Sequence, residues 1–146
     1  MSSVAGMTAI TTRSHPLSDS TDSLLRFAMR VDATLTGVLG LAFAAMADPL
    51  GRLTGLTSAQ GYIAGAAFVL CGLVVYALAA APDLRRVGAG LVAFNVAGTV
   101  GFIALAETAV LPLTMFGSIT ALTGGLYTAT FAVLQYFGVR RLEAHA

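Results

Sequence analysis

The chain of 146 residues is 57% apolar and 10% charged, with a formal net charge of +1 and a mean hydropathy of +0.84. Soluble domains carry about 25% charged residues, so this composition excludes an ordinary soluble domain and favours an integral membrane protein. No basic face exists outside the membrane boundaries, which excludes nucleic acid as a partner.

The N-terminal residues 1–22 are rich in serine and threonine and lack the continuous apolar core of a signal peptide. We expect a disordered cytoplasmic tail there. Residues 23–141 are predicted to form one transmembrane domain, and residues 142–146 a short cytoplasmic C-terminal tail.

Charged residues and prolines divide this domain into four apolar segments. Uncharged residues fill positions 33–47, 53–82, 87–106 and 108–139, and the prolines at 49, 82 and 112 lie at the proposed connections. The pattern predicts an all-α, polytopic membrane protein with spans at about 24–47, 59–81, 87–108 and 113–138. Short connections favour an antiparallel four-helix bundle within the lipid bilayer.

The arginines indicate how the bundle is oriented. All eight basic residues are arginine, and Arg52 stands alone on one side, opposite Arg13, Arg26, Arg30, Arg85, Arg86, Arg140 and Arg141. Cytoplasmic loops are enriched in arginine, so both termini are predicted to be cytoplasmic, an N-in/C-in topology. Arginine as the sole basic residue, beside abundant alanine and glycine, suggests a GC-rich bacterial genome and hence a multi-pass protein of the bacterial inner membrane.

Small residues recur along every span at helical spacing, as they do where membrane helices touch. In the third span, such a stripe consists of Ala93, Ala97 and Gly101. The predicted helix-packing glycines are Gly40, Gly61, Gly65, Gly72, Gly101, Gly117 and Gly124.

Asp32 is the most unusual residue, because a short carboxylate at membrane depth cannot reach the headgroups. Counting helical turns places Tyr76, Asn95 and Gln135 at a similar depth on the small faces of their helices. We expect these four residues to form one polar layer. The candidate charge partners for Asp32 are Arg85, Arg86 and Arg140.

Metal, cofactor and catalytic chemistry are not expected. The two histidines, His15 and His145, lie in the tails, so the spans hold no haem ligand pair and no metal ligand set. Cys71 lies within an apolar run and is expected to be a small packing residue. Ser118 has no histidine or lysine near it in sequence, so a nucleophile is not expected and the chain is not predicted to be an enzyme.

Three segments resemble a group of small bacterial four-helix membrane proteins: RFAMRVDATLTGVLGLAF, LVAFNVAGTVGF and VLQYFGVRR. The resemblance covers about residues 24–141 and implies no activity. It implies that the group's recurring positions include Arg30, Asp32, Asn95, Gln135, Tyr136 and the final arginine pair.

Two functions stay open at this point. The first is an accessory or structural membrane protein that packs with itself or with a larger membrane complex, as the small-residue faces and the lack of catalytic groups suggest. The second is a small proton-linked transporter or channel centred on Asp32, since an intramembrane carboxylate is costly to keep for structure alone.

Overall fold

The computed structural model describes residues 16–144, all of whose regular structure is helical. The helices are α1 (Pro16–Ala45), α2 (Ala47–Thr54), α3 (Ser58–Leu78), α4 (Leu84–Glu107) and α5 (Met115–Ala144). Four of them contain segments long and apolar enough to cross a membrane, namely Asp22–Ala45, Ser58–Leu78, Leu84–Glu107 and Met115–Ala144. The prediction of an all-α protein with four candidate spans is confirmed.

The first and last helices of the chain, α1 and α5, are longer than predicted. α1 begins at Pro16, inside the segment expected to be disordered, because proline is tolerated in a first turn and residues 17–36 contain neither glycine nor proline. α5 continues to Ala144 instead of ending near 138, since residues 139–144 contain neither glycine nor proline. The rest of the two predicted tails, residues 1–15 and 145–146, lies outside the described residues.

The short helix α2 was not predicted. It follows α1 after a turn at Met46 and buries one side made of Ala47, Gly51 and Thr54. It ends at Gly55, whose φ of 86° lies in the left-handed region that favours glycine. The first span therefore ends at Ala45, and the connection to the second contains a helix of its own.

Polar side chains cap the later helices. At the start of α3, Thr57 Oγ1 accepts from the Gln60 backbone nitrogen and the Gln60 side chain accepts from that of Thr57, a reciprocal capping box. Asp83 accepts from the backbone nitrogen of Arg86 at the start of α4.

The helices pack as two close pairs, α1 with α3 and α4 with α5, which join where α1 meets α5. Glycines bring α1 and α3 together until their backbones touch. A Cβ atom built on Gly40 would lie 2.6 Å from the Gly65 carbonyl oxygen, and one built on Gly72 would lie 2.6 Å from that of Ala33. The α1–α3 contact therefore leaves no room for a side chain at these glycines.

Six of the seven predicted packing glycines lie at such contacts. Gly61 packs on Ala47, Gly117 on Thr54 and Gly124 on the ring of Phe102. Gly101 differs, because it is exposed and a Cβ atom there would have no neighbour within 4 Å. α4 instead turns its other side inward, the side with Gly88, Leu91 and Asn95. The small-residue stripe of the third span thus faces away from the bundle.

Candidate functional site

Asp32 lies inside the helix bundle, with 5% of its surface exposed. Its own helix supplies one contact: the Thr36 hydroxyl, one turn along α1, donates to Asp32 Oδ1 at 3.3 Å. The remaining partners come from α4 and α5, so the carboxyl group connects α1 to these two helices.

Two amide side chains hold the second carboxylate oxygen. Gln135 Nε2 on α5 donates to Asp32 Oδ2 at 2.9 Å, and Asn95 Nδ2 on α4 donates to the same oxygen at 3.3 Å. Asn95 Nδ2 also lies 3.0 Å from the Gln135 side-chain oxygen. Gln135 is fully buried and Asn95 is 5% exposed. Three of the four residues of the predicted polar layer are thus in direct contact.

Tyr127 is a member of the layer that sequence reasoning missed. Its hydroxyl donates to Asp32 Oδ1 at 3.1 Å and lies 3.0 Å from the Thr36 hydroxyl. Helical spacing gave only a weak signal for it, because Tyr127 lies eight residues before Gln135, about 12 Å along α5 and about 80° around it. With Tyr127 included, the carboxylate accepts four hydrogen bonds, two on each oxygen.

Hydroxyl groups extend the polar layer by one helical turn. Thr99 donates to the backbone oxygen of Asn95 at 2.9 Å, and its hydroxyl lies 2.9 Å from that of Thr128. Within the described residues, every buried side-chain nitrogen or oxygen has a hydrogen-bond partner. The buried polar side-chain atoms of the layer therefore all find hydrogen-bond partners within the chain itself.

Apolar clusters lie on both sides of the layer along the bundle. Toward the ends of α1 and α5 where the arginines lie, the core contains Leu25, Met29 and Val139, and the first two are fully buried. Toward the other ends, the ring of Phe68 lies between those of Phe43 and Phe102, with centroid distances of 5.9 Å and 6.4 Å. Along the bundle, Asp32 thus lies between a buried aliphatic cluster and a half-buried aromatic one.

Tyr76, predicted to belong to the layer, lies outside it. The side chain is 55% exposed and lines a groove on the outer surface between α1 and α3. The buried side of α3 continues from Gly72 to Val75 and Ala79, three and seven residues along, so Tyr76 is rotated away from the bundle.

The predicted charge partners of Asp32 pair with other acids. Arg85 and Arg140 both lie near Glu143, at 3.3 Å and 3.5 Å, and Arg86 lies 3.5 Å from Asp83. These pairs lie at the helix ends and are largely exposed, whereas Asp32 is deeper in the bundle. Among the described residues no cation pairs with Asp32, and the side-chain partners of its carboxyl group are all neutral donors.

The neighbours of Asp32 define what the site can bind. They are amides and hydroxyls, and no group of three histidine, cysteine, aspartate or glutamate side chains able to hold a metal ion is found in the described part of the chain. Chemically, the arrangement can hold one negative charge or exchange one proton, and it joins α1, α4 and α5 through a single carboxylate.

Comparison with known proteins gives no assignment for this arrangement. No protein-family model matches the chain, and neither a curated protein nor a solved structure matches it. The resemblance to small bacterial four-helix membrane proteins stays a prediction, and the roles of Asp32, Asn95, Tyr127 and Gln135 rest on their contacts.

Proposed function

We propose that this protein is an accessory, non-enzymatic membrane protein of structural type, which packs with itself or with a larger membrane complex. We further propose an antiparallel bundle with both termini in the cytoplasm, in a bacterial inner membrane. The Asp32 layer then serves to fix how three of the spans, those of α1, α4 and α5, pack together.

The observation that carries the proposal is the complete hydrogen bonding of the polar layer. Both oxygens of the Asp32 carboxyl group accept from donors of the chain, and no buried side-chain nitrogen or oxygen of the described residues lacks a hydrogen-bond partner. Asp32, Asn95 and Gln135 are each at most 5% exposed. Such a fully satisfied network makes a core unique and rigid.

The outward side of α4 supports the packing role. It carries a narrow row of exposed small residues, which we call the outer α4 face: Gly90, Ala93, Ala97, Gly101 and Ala104. Membrane helices associate through small residues that let backbones approach closely. Large side chains are common elsewhere on the surface of the bundle, so this row differs from its surroundings.

The arrangement in the membrane is supported by contacts and by charge. Along α1 the contact positions rise from Ala33 to Gly40, while their partners on α3 fall from Gly72 to Gly65, as expected for antiparallel neighbours. Arg52 remains the single basic residue on its side of the spans. An excess of arginine on the other side favours placing that side in the cytoplasm.

Extraction of the protein from its membrane in mild detergent is expected to give a species heavier than one 14.9 kDa chain. The change Ala97→Leu should shift this species toward a single chain, because the larger side chain separates backbones that meet at the outer α4 face. Native mass spectrometry measures both masses.

Ala66→Leu is the matched control, since Ala66 is also exposed but lies on α3, away from the outer α4 face. It should leave the assembly unchanged. A parent protein that is extracted as a single chain, with nothing bound, would overturn the packing role.

One observation favours the second candidate, a small proton-linked transporter or channel. The Asp32 carboxylate lies within a span and has no cationic partner among the described residues, and intramembrane acids of this kind often carry protons. The Tyr127 and Thr36 hydroxyls can rotate to accept a hydrogen bond, so a proton could be held on Oδ1 but not on the amide-bound Oδ2.

Proton flux into liposomes separates the two candidates. We expect no flux above that of protein-free vesicles, for the parent or for Asp32→Asn, because the Asp32 carboxyl group is buried and its hydrogen-bond partners all come from the chain. Asparagine keeps the shape of the aspartate side chain, and the Thr36 and Tyr127 hydroxyls can rotate to form hydrogen bonds with its amide group. Flux that is present in the parent and lost in Asp32→Asn would show transport and overturn the structural role.

A further inference from the structure

A shallow groove of about 410 Å³ lies on the outer surface between α1 and α3. It is separate from the Asp32 layer, and its lining combines three apolar, one cationic and two hydroxyl-bearing residues: Phe27, Arg30, Val31, Thr34, Leu35 and Tyr76. We call it the Arg30 groove. A cation beside an apolar wall on a membrane-facing surface is an unusual combination, because a charge at membrane depth is costly unless a partner pairs with it.

Arg30 is unlike the other arginines at this end of the bundle. Arg26, one turn earlier on α1, donates to the Ala79 backbone oxygen at 2.6 Å and lies 3.9 Å from Asp22. The exposed guanidinium of Arg30 forms no ion pair or hydrogen bond with any described residue. It also lies about 6 Å deeper along the helix than Arg26, within the first candidate span.

A second polar group in the groove also lacks a partner. The Tyr76 side chain is 55% exposed, and its hydroxyl forms no hydrogen bond with the described residues. The Thr34 hydroxyl, by contrast, is already used, since it donates to the Arg30 backbone oxygen at 2.7 Å. The groove therefore offers one guanidinium and one phenol above an apolar wall of Phe27, Val31 and Leu35.

We propose that the Arg30 groove binds an anionic phospholipid, with the phosphate at Arg30 and Tyr76 and an acyl chain along the apolar wall. Charge complementarity selects this occupant, because an unpaired guanidinium at membrane depth needs an anion and a fork of N–H donors matches phosphate oxygens. The apolar wall selects a lipid over a free anion. Arginine can extend toward the headgroup level, where tyrosine also prefers to lie.

Binding is measured by native mass spectrometry of the detergent-purified protein with dioleoylphosphatidylglycerol and, separately, dioleoylphosphatidylcholine. The parent should retain the anionic lipid in preference to the zwitterionic one. Arg30→Gln should weaken retention of phosphatidylglycerol by about five- to tenfold, the effect expected for losing one basic residue near an anionic lipid. Arg30→Lys should be intermediate and Tyr76→Phe milder.

Arg86→Gln is the matched control, because the Arg86 side chain is 89% exposed and lies 3.5 Å from Asp83, outside the groove. It should bind phosphatidylglycerol as the parent does. Equal retention of the two lipids by the parent, or unchanged retention in Arg30→Gln, would overturn the proposal. Displacement of the lipid by millimolar inorganic phosphate would do so too, since it would show a free-anion site.

Discussion

Changing Gln135 to glutamate is expected to lower the free energy of unfolding by about 3 kcal/mol or more, the cost of leaving a buried charge uncompensated. The Gln135 nitrogen now donates to Asp32 Oδ2 at 2.9 Å in a fully buried position. A second carboxyl group there would replace that donor with an acceptor. Denaturant titration of the protein in detergent micelles measures the loss.

The chain offers a matched control in its only other glutamine. The Gln60 side-chain oxygen accepts from the Thr57 backbone nitrogen at 2.8 Å, so Gln60→Glu keeps the capping box and should leave stability nearly unchanged. Adding Asp32→Asn to Gln135→Glu should recover much of the loss, because the layer again contains one carboxyl group. If Gln135→Glu were as stable as the parent, the layer would not hold the helices together.

The second large effect is expected at the α1–α3 contact, where Gly72→Ala should destabilise the protein by about 2 kcal/mol, as overpacking of a tight core does. The new methyl group would lie 2.6 Å from the Ala33 carbonyl oxygen and 2.9 Å from the Gly37 nitrogen. Both are backbone atoms that cannot rotate aside, so the two helices must separate. The midpoint of thermal unfolding in detergent reports the change.

Gly37→Ala tests the same contact from the opposite helix. A Cβ atom on Gly37 would have no neighbour within 4 Å, so this methyl group should be tolerated. Equal destabilisation by the two variants would mean that general effects of replacing glycine, and not the α1–α3 contact, cause the loss.

The four candidate spans could be predicted from the sequence because charges and prolines mark their ends, and because the length and apolar composition of a segment decide whether it can cross. α2 could not be predicted in this way. Its eight residues include Asp48, Pro49 and Arg52, and the side it buries becomes apparent only when α3 and α5 are in place against it. Short helices of this kind depend on tertiary packing more than on propensity.

The Asp32 layer could be predicted in part, since helical depth brought Asp32, Asn95 and Gln135 to one level. Depth does not say which way each helix is rotated. Tyr76 and Tyr127 show the difference, because both tyrosines lie in apolar helices and only one turns inward. Gly65 and Gly72 pack against α1 and so set the rotation of α3. Tyr76 follows Gly72 by four residues, which turns it about 40° away from that contact.

The order of synthesis gives the Asp32 layer a further consequence. Asp32 and Asn95 are 63 residues apart in the chain, and Asp32 and Gln135 are 103 apart. The two amides that hold the carboxyl group are therefore synthesised well after α1. Until α5 has been made, Asp32 lacks the donors Tyr127 and Gln135. A chain that ended before α5 would keep this gap permanently, and we expect it to be less stable than the full chain.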